Sequence, residues 1–328
     1  MICRDSFLLK KRKEGTDMDG KIVIIGAGHV GSHVARALAA GGIGSEIVLA
    51  DILHDKARSQ AMDVADSLTY PALPVTVREG STAECADADV TVIAIGKPRE
   101  PGQTRLDLLG DSARMIHALA CEIKKAGLRG PAVSITNPCD IMADTLRKAL
   151  GMDRYRVFGT GTLLDTARLK RTLSEQTGCP RNRIEAFVLG EHGDSSMIPF
   201  SDVRIDGKRP EDLPGFNADE ALERTHMIGM DIINGKGSTE FGIGQATAFL
   251  ISNILTDSKA VLPLSVHLEG EYGLDGVQCG VPCVIGRDGI ESIEELPLTG
   301  SEKEALYRSA EVIRTHTRLA DSIVAGLE

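Results

Sequence analysis

From Lys21 onward, short apolar runs alternate with longer stretches in which apolar residues recur every three or four positions. The runs at 22–25, 47–50, 75–77, 90–95, 132–135 and 156–158 are brief, nearly continuous and rich in β-branched residues. That is the pattern of parallel strands covered on both faces. Helical spacing lies between several of them. Val30, Val34 and Leu38 recur every four residues until Gly41 and Gly42 stop the helix, and further helices are expected over 111–126 and 140–150. Six strands joined by right-handed crossovers predict an α/β fold with a doubly wound parallel sheet.

After Gly159 the texture changes. A helix over 163–176 leads into mixed strands and turns at 184–210, helices near 218–234 and 243–256, hairpin-like strands at 261–287 and a closing helix over about 301–325. This half reads as α+β. A chain of 328 residues is long for a single core, so two coupled domains are expected, 20–160 and 161–328.

Composition narrows the function classes. Charged residues make up 26% and no apolar run approaches the roughly 20 residues that cross a bilayer, which excludes a helical membrane protein. A net charge of −10 argues against broad binding to nucleic-acid backbones, although a few arginines can still focus a small anion in a cleft. Seven cysteines, an odd number without a repeating framework, suit a reducing, cytoplasmic setting. Cys279 and Cys283 are close in sequence but have no nearby His, so no metal site is expected. Residues 1–19 carry a short apolar stretch at Phe7 to Leu9 and a basic run from Lys10 to Lys13, and read as a disordered tail.

Four stretches carry chemistry. Gly26, Ala27, Gly28, His29, Val30 and Gly31 follow a predicted strand and open a predicted helix. Gly26 permits the tight turn, Gly28 lets backbone approach a pyrophosphate, and Gly31 lets helix pack on strand. Asp51 ends the next strand twenty residues after Gly31, where a carboxylate accepts from ribose hydroxyls and repels a 2′-phosphate. NAD is therefore expected rather than NADP.

His192, flanked by Gly190 and Gly193, stands where backbone can turn an imidazole into a cleft, and histidine suits proton transfer near neutrality. Asp165 and Arg168 are three apart on one helix face, so they either form a local ion pair or orient an imidazole and hold a substrate carboxylate. The loop from Gly96 to Asp107 has two prolines and two glycines, Gly96 and Gly102, and carries Arg99 and Arg105, which makes it a candidate lid. Asn137, before Pro138, adds a polar group at the same sheet edge.

Together GAGHVG, NPCD, GTGTLLDTAR, GEHGDS and GKGSTEFGIG resemble the lactate and malate dehydrogenase family, from Lys21 to the last helix. The resemblance implies a Rossmann domain binding NAD through Gly26, Gly28, Val30, Gly31, Asp51, Gly96 and Asn137. It implies that His192 is the acid/base, Asp165 its partner, Arg168 the clamp on the substrate carboxylate and Arg105 the lid residue that polarises the reacting carbonyl. Asn137 would bond near that carbonyl, and Thr239 would line the pocket. The partners implied are a small 2-oxo or 2-hydroxy acid and further copies of the chain, as a homotetramer or dimer. An NAD-dependent glycosidase or a non-catalytic NAD sensor accounts less well for this set of residues.

Substrate choice divides the motifs. The family residue six positions before the lid arginine is typically Gln in lactate dehydrogenases and Arg in malate dehydrogenases, and it aligns with Arg99. An arginine facing a methyl group would be a desolvated charge without a partner, which points to malate. GTGTLLDTARLKR, Thr239 and RLDLL look more like bacterial L-lactate dehydrogenases, and Glu100 could hold Arg99 outward. L-lactate dehydrogenase is the favoured reading and malate dehydrogenase the alternative. Lys170 and Glu185 stand where relatives activated by fructose 1,6-bisphosphate carry Arg and His, so no such activation is expected.

Overall fold

The structure, a computed structural model, describes residues 18–71, 73–96 and 105–327, with the backbone alone at 105–107. The first seventeen residues of the expected tail, Arg99 and the rest of the expected lid up to Thr104 lie outside the described residues, as does the side chain of Arg105.

The first half is built from β1 (Lys21–Ile25), α1 (His29–Gly41), β2 (Glu46–Ala50), α2 (His54–Asp66), β3 (Thr76–Glu79), β4 (Val90–Ile93), α3 (Arg105–Ala126), β5 (Ala132–Ser134), α4 (Cys139–Leu150) and β6 (Val157–Gly159). The second half contributes α5 (Leu163–Thr177), the two-residue strands β7 (Ile184–Glu185) and β8 (Arg204–Ile205), then α6 (Ala218–Lys236) and α7 (Phe241–Leu255). It ends with β9 (Val261–Glu269), β10 (Asp275–Gly286), β11 (Gly289–Ile293) and α8 (Gly300–Ala325).

In β1 and β2, four of five residues are buried, and alternate side chains feed opposite faces. Ile22, Ile24, Ile47 and Leu49 pack in one core with Val34 and Leu38 of α1, while Val23, Ile25 and Val48 pack in another with Ile116 of α3 and Met142 of α4. Two buried faces explain why these strands read as continuous apolar runs rather than alternating ones. The strand order β3-β2-β1-β4-β5-β6, parallel throughout, is a doubly wound Rossmann sheet. All six expected strands are present, with ends displaced by one or two residues. Gly42 closes α1 in the left-handed region at φ 61°, with its N–H bonded to Leu38 and Ala39 carbonyls.

The sheet does not stop at β6. Gly159 pairs antiparallel with Ser265, so β9, β10 and β11 extend it to nine strands in the order β11-β10-β9-β6-β5-β4-β1-β2-β3. The α+β character expected of the second half is present, but its main strands continue the first half's sheet. Two elements escaped the hydrophobic pattern. The buried stripe of α2 is Ala57, Ala61 and Val64 amid charges, and β11 lies beyond the expected hairpins. Among the described residues, no helix is long and apolar enough to cross a membrane.

Candidate active site

The turn after β1 is held by sterics that only glycine meets. Gly26 has φ 106°, and a Cβ there would lie 2.4 Å from the Ala94 carbonyl oxygen. A Cβ on Gly31 would lie 1.8 Å from the Gly26 carbonyl oxygen, so α1 can start this close to β1 only with glycine at that position. Gly28, by contrast, faces open space, with the Lys56 ammonium 3.9 Å from where its Cβ would be. Asp51 completes the turn: its Oδ2 accepts from the Ala27 N–H at 2.8 Å and its Oδ1 from the Leu53 N–H at 3.0 Å.

A cavity of about 470 Å³ follows the ends of β1, β2 and β4, walled by Gly26, Gly28, Asp51, Thr82, Ile95 and Gly96. A smaller one of about 90 Å³ is walled by Val30, Asn137, Arg168, His192, Thr239 and Ile243. Residues drawn from α1, the ends of β5 and β6, α5, the loop after residue 190 and the approach to α7 thus meet in one place.

Within it, His192 Nδ1 lies 2.5 Å from Asp165 Oδ2, and Arg168 Nη1 donates to Asp165 Oδ1 at 2.9 Å. Asp165 thus forms the local ion pair with Arg168 and the imidazole contact at once, one through each oxygen. The His192 backbone N–H donates to Asp140 Oδ2 at 2.8 Å. The loop is fixed on further sides: Gly190 and Gly280 exchange two backbone hydrogen bonds at 2.9 Å, and the Glu191 N–H donates to the Ser309 hydroxyl of α8 at 2.8 Å. Gly190 has φ 94°, and a Cβ would strike Ser309 Oγ at 2.4 Å. Thr162, at the N-cap of α5, and Thr166 within it bond the carbonyl and the N–H of Val188, which aligns this loop with the helix that carries Asp165.

The charges set the protonation state. The negative charge of Asp165, with its hydrogen bond, pushes the His192 imidazole up to about 9; burial and the Arg168 charge oppose this, and Asp140 adds to it. Burial alone would raise Asp165, but the charges and hydrogen bonds of His192 and Arg168 outweigh it and hold the carboxyl below its usual range. At neutral pH His192 is therefore an imidazolium against the Asp165 carboxylate, at the wall of the cavity that Arg168 also lines.

A family model described as lactate/malate dehydrogenase, NAD binding domain, matches residues 20–159, and one described as lactate/malate dehydrogenase, alpha/beta C-terminal domain, matches residues 162–322. The chain belongs to the lactate/malate dehydrogenase family. It is an NAD-dependent oxidoreductase acting on the CH–OH group of a small 2-hydroxy acid. It is 37% identical over 300 residues to the L-lactate dehydrogenase of Mesomycoplasma hyopneumoniae (strain 232), covering 89% of this chain and 95% of that one. Its fold is similar to the minor L-lactate dehydrogenase of Enterococcus mundtii, with a TM-score of 0.89, 31% identity and coverage of 93% and 98%. It is equally similar to the malate dehydrogenase of Picrophilus torridus, with a TM-score of 0.89, 31% identity and coverage of 94% and 99%.

The residues present fit NAD. Open space in front of Gly28 and Gly96, the start of a thirteen-residue helix and the Asp51 carboxylate succeed one another along the larger cavity. Asp140, Ser265 and Ser309 were not singled out from the sequence. A signal for Asp140 exists, since an acidic residue opens a helix in which nine of twelve residues are buried. Such a carboxylate needs partners, and only the fold reveals that they come from residues 192 and 265.

Proposed function

We propose that the protein reduces pyruvate to L-lactate with NADH, using His192 as the proton donor. The observation that carries this reading is the Asp165 carboxylate shared between the His192 imidazole and the Arg168 guanidinium at the wall of the small cavity. In this reading residues 20–160 hold the cofactor and residues 161–328 supply the acid and the anion clamp.

The bound nicotinamide supplies the hydride. The chain's residues do the rest. Arg168 has five N–H donors and spends one on Asp165, which leaves a fork to hold the substrate carboxylate. His192, kept protonated by Asp165, donates its Nε2 proton to the carbonyl oxygen as negative charge builds there, and in lactate oxidation the neutral ring takes the hydroxyl proton back. Asn137 and Thr239 orient the substrate from the cavity wall. Arg105 adds a second donor to the developing oxyanion, an interaction worth about 3 kcal/mol.

Similarity to L-lactate dehydrogenases at 37% identity over nearly the whole chain supports pyruvate. The second reading, oxaloacetate and malate, is favoured by Arg99 in the sequence and by the likeness to the Picrophilus torridus enzyme. The test is the ratio of kcat/KM for pyruvate and oxaloacetate with NADH, repeated in Arg99→Gln. Pyruvate preference supports the first reading; a strong oxaloacetate preference that collapses in the variant establishes the second. The reading includes a homotetramer or dimer, consistent with the exposed Met227, Met230 and Phe249 on α6 and α7, and light scattering measures the mass directly.

A further inference from the structure

Asp140 is 1% exposed at the first turn of α4, and both of its oxygens are engaged. Oδ1 accepts from the hydroxyl of the fully buried Ser265 on β9 at 2.5 Å, and Oδ2 accepts from the His192 backbone N–H at 2.8 Å. No cation is among these partners. A charged side chain so deeply buried is costly, and two neutral donors offset only part of that cost. Hydrogen bonding to the loop could have been provided by a neutral acceptor. The carboxylate is what requires explanation.

We propose that Asp140 is a positioning residue for His192: it fixes the backbone at that position and sets a second negative charge, besides Asp165, against the residue that carries the proton. This rests on His192 being the proton donor. The groups around the pair come from four elements. His192 faces Asp165 and Arg168 of α5 and Asp140 of α4; Asp140 faces Ser265 of β9, Glu191 of the histidine's own loop, and the thiols of Cys139 on α4 and Cys279 on β10. Burial pushes both thiols up, Cys139 to about 12, so they stay neutral and do not compete for the role. Burial also pushes the Asp140 carboxyl up to about 6, against the bonds from Ser265 and His192, so it is charged throughout the range in which His192 gives up its proton.

The division of labour follows from geometry. Asp165 contacts the ring and fixes its tautomer, and it also carries Arg168, whose positive charge partly cancels its effect on the imidazole. Among the described residues, the Asp140 carboxylate hydrogen-bonds to the loop backbone and a hydroxyl and carries no guanidinium, so the cation it acts on is the His192 ring itself.

The test is a titration of histidine-labelled protein by NMR, without added cofactor or substrate, with the His192 resonance assigned by its loss in His192→Asn. Asp140→Asn keeps an acceptor for the His192 N–H and removes the charge; Asp140→Ser, smaller, is the second variant in case the amide is not accommodated. The His192 midpoint is expected to fall by about one unit in either variant, and the alkaline limb of pyruvate reduction to move with it. Ser265→Ala keeps the charge and is expected to leave the midpoint in place. An unmoved midpoint in both Asp140 variants overturns the proposal, whatever happens to turnover. The reading beneath it fails separately, if His192→Asn still reduces 2-oxo acids at the parent rate.

Discussion

Arg168 and His192 are joined through the two oxygens of one carboxylate, Asp165 Oδ1 at 2.9 Å from the guanidinium and Oδ2 at 2.5 Å from the imidazole. The guanidinium and the imidazole, which the proposed mechanism uses as anion clamp and proton donor, are therefore tied together by a single buried side chain. An error in Asp165 is an error in both.

Asp165→Asn is expected to lower kcat/KM for pyruvate reduction by about a hundredfold or more. The amide leaves His192 without its countercharge and Arg168 without its anchor. Steady-state kinetics with NADH checks it, and a loss under about threefold would show that the shared carboxylate is not what organises the site.

The pH dependence has opposite signs in the two directions. His192 holds its proton up to about 9 because of Asp165. In the proposed mechanism reduction uses the protonated ring, so its kcat/KM is expected to be level at neutral pH and to fall as pH rises through about 9. Oxidation uses the neutral ring and is expected to climb over the same interval. Initial rates in both directions across that range decide it; a reduction limb near the ordinary histidine value would mean that the dyad does not raise His192.

Arg168→Lys preserves charge and removes the planar fork. A lysine ammonium cannot grip a carboxylate with two parallel bonds while serving Asp165, so KM for pyruvate is expected to rise by about tenfold or more. An unchanged KM would place the substrate carboxylate elsewhere.

Asp51 makes its two contacts to backbone N–H groups while bordering the larger cavity. Asp51→Ser removes the charge expected to repel a 2′-phosphate and loosens the turn. The ratio of kcat/KM for NADPH to that for NADH is expected to rise by about tenfold to a hundredfold, mostly through weaker use of NADH. Parallel assays with the two cofactors measure it.

Gly31→Ala tests the turn mechanically. Its Cβ would overlap the Gly26 carbonyl oxygen at 1.8 Å, which only a displacement of α1 from β1 relieves. A loss of about 3 kcal/mol in urea unfolding is expected. Stability equal to the parent would mean that the helix start moves freely.

The sheet was legible where burial on both faces makes strands uniformly apolar, as in β1, β2 and β4. The α2 helix was not, because alanines form its buried stripe and carry little hydrophobic contrast. His192, Asp165 and Arg168 could be singled out because glycines and helical spacing mark them locally, and the fold brings the three together. Asp140 and Ser265 were missed for the opposite reason: 125 residues separate them, and neither has meaning until β9 lies beside α4. Local patterns mark single groups, while long-range contacts choose the groups that hold them in place.

The seam between Gly159 and Ser265 has a practical consequence for anyone dissecting the chain. Severing it near residue 160, where the two halves part in sequence, would not release two finished modules. It would leave β6 and β9, strands that normally lie inside a nine-strand sheet, as raw borders open to pairing with any other strand. Fragments cut there are expected to clump when made separately and to recover solubility when made together, each serving as the other's missing edge.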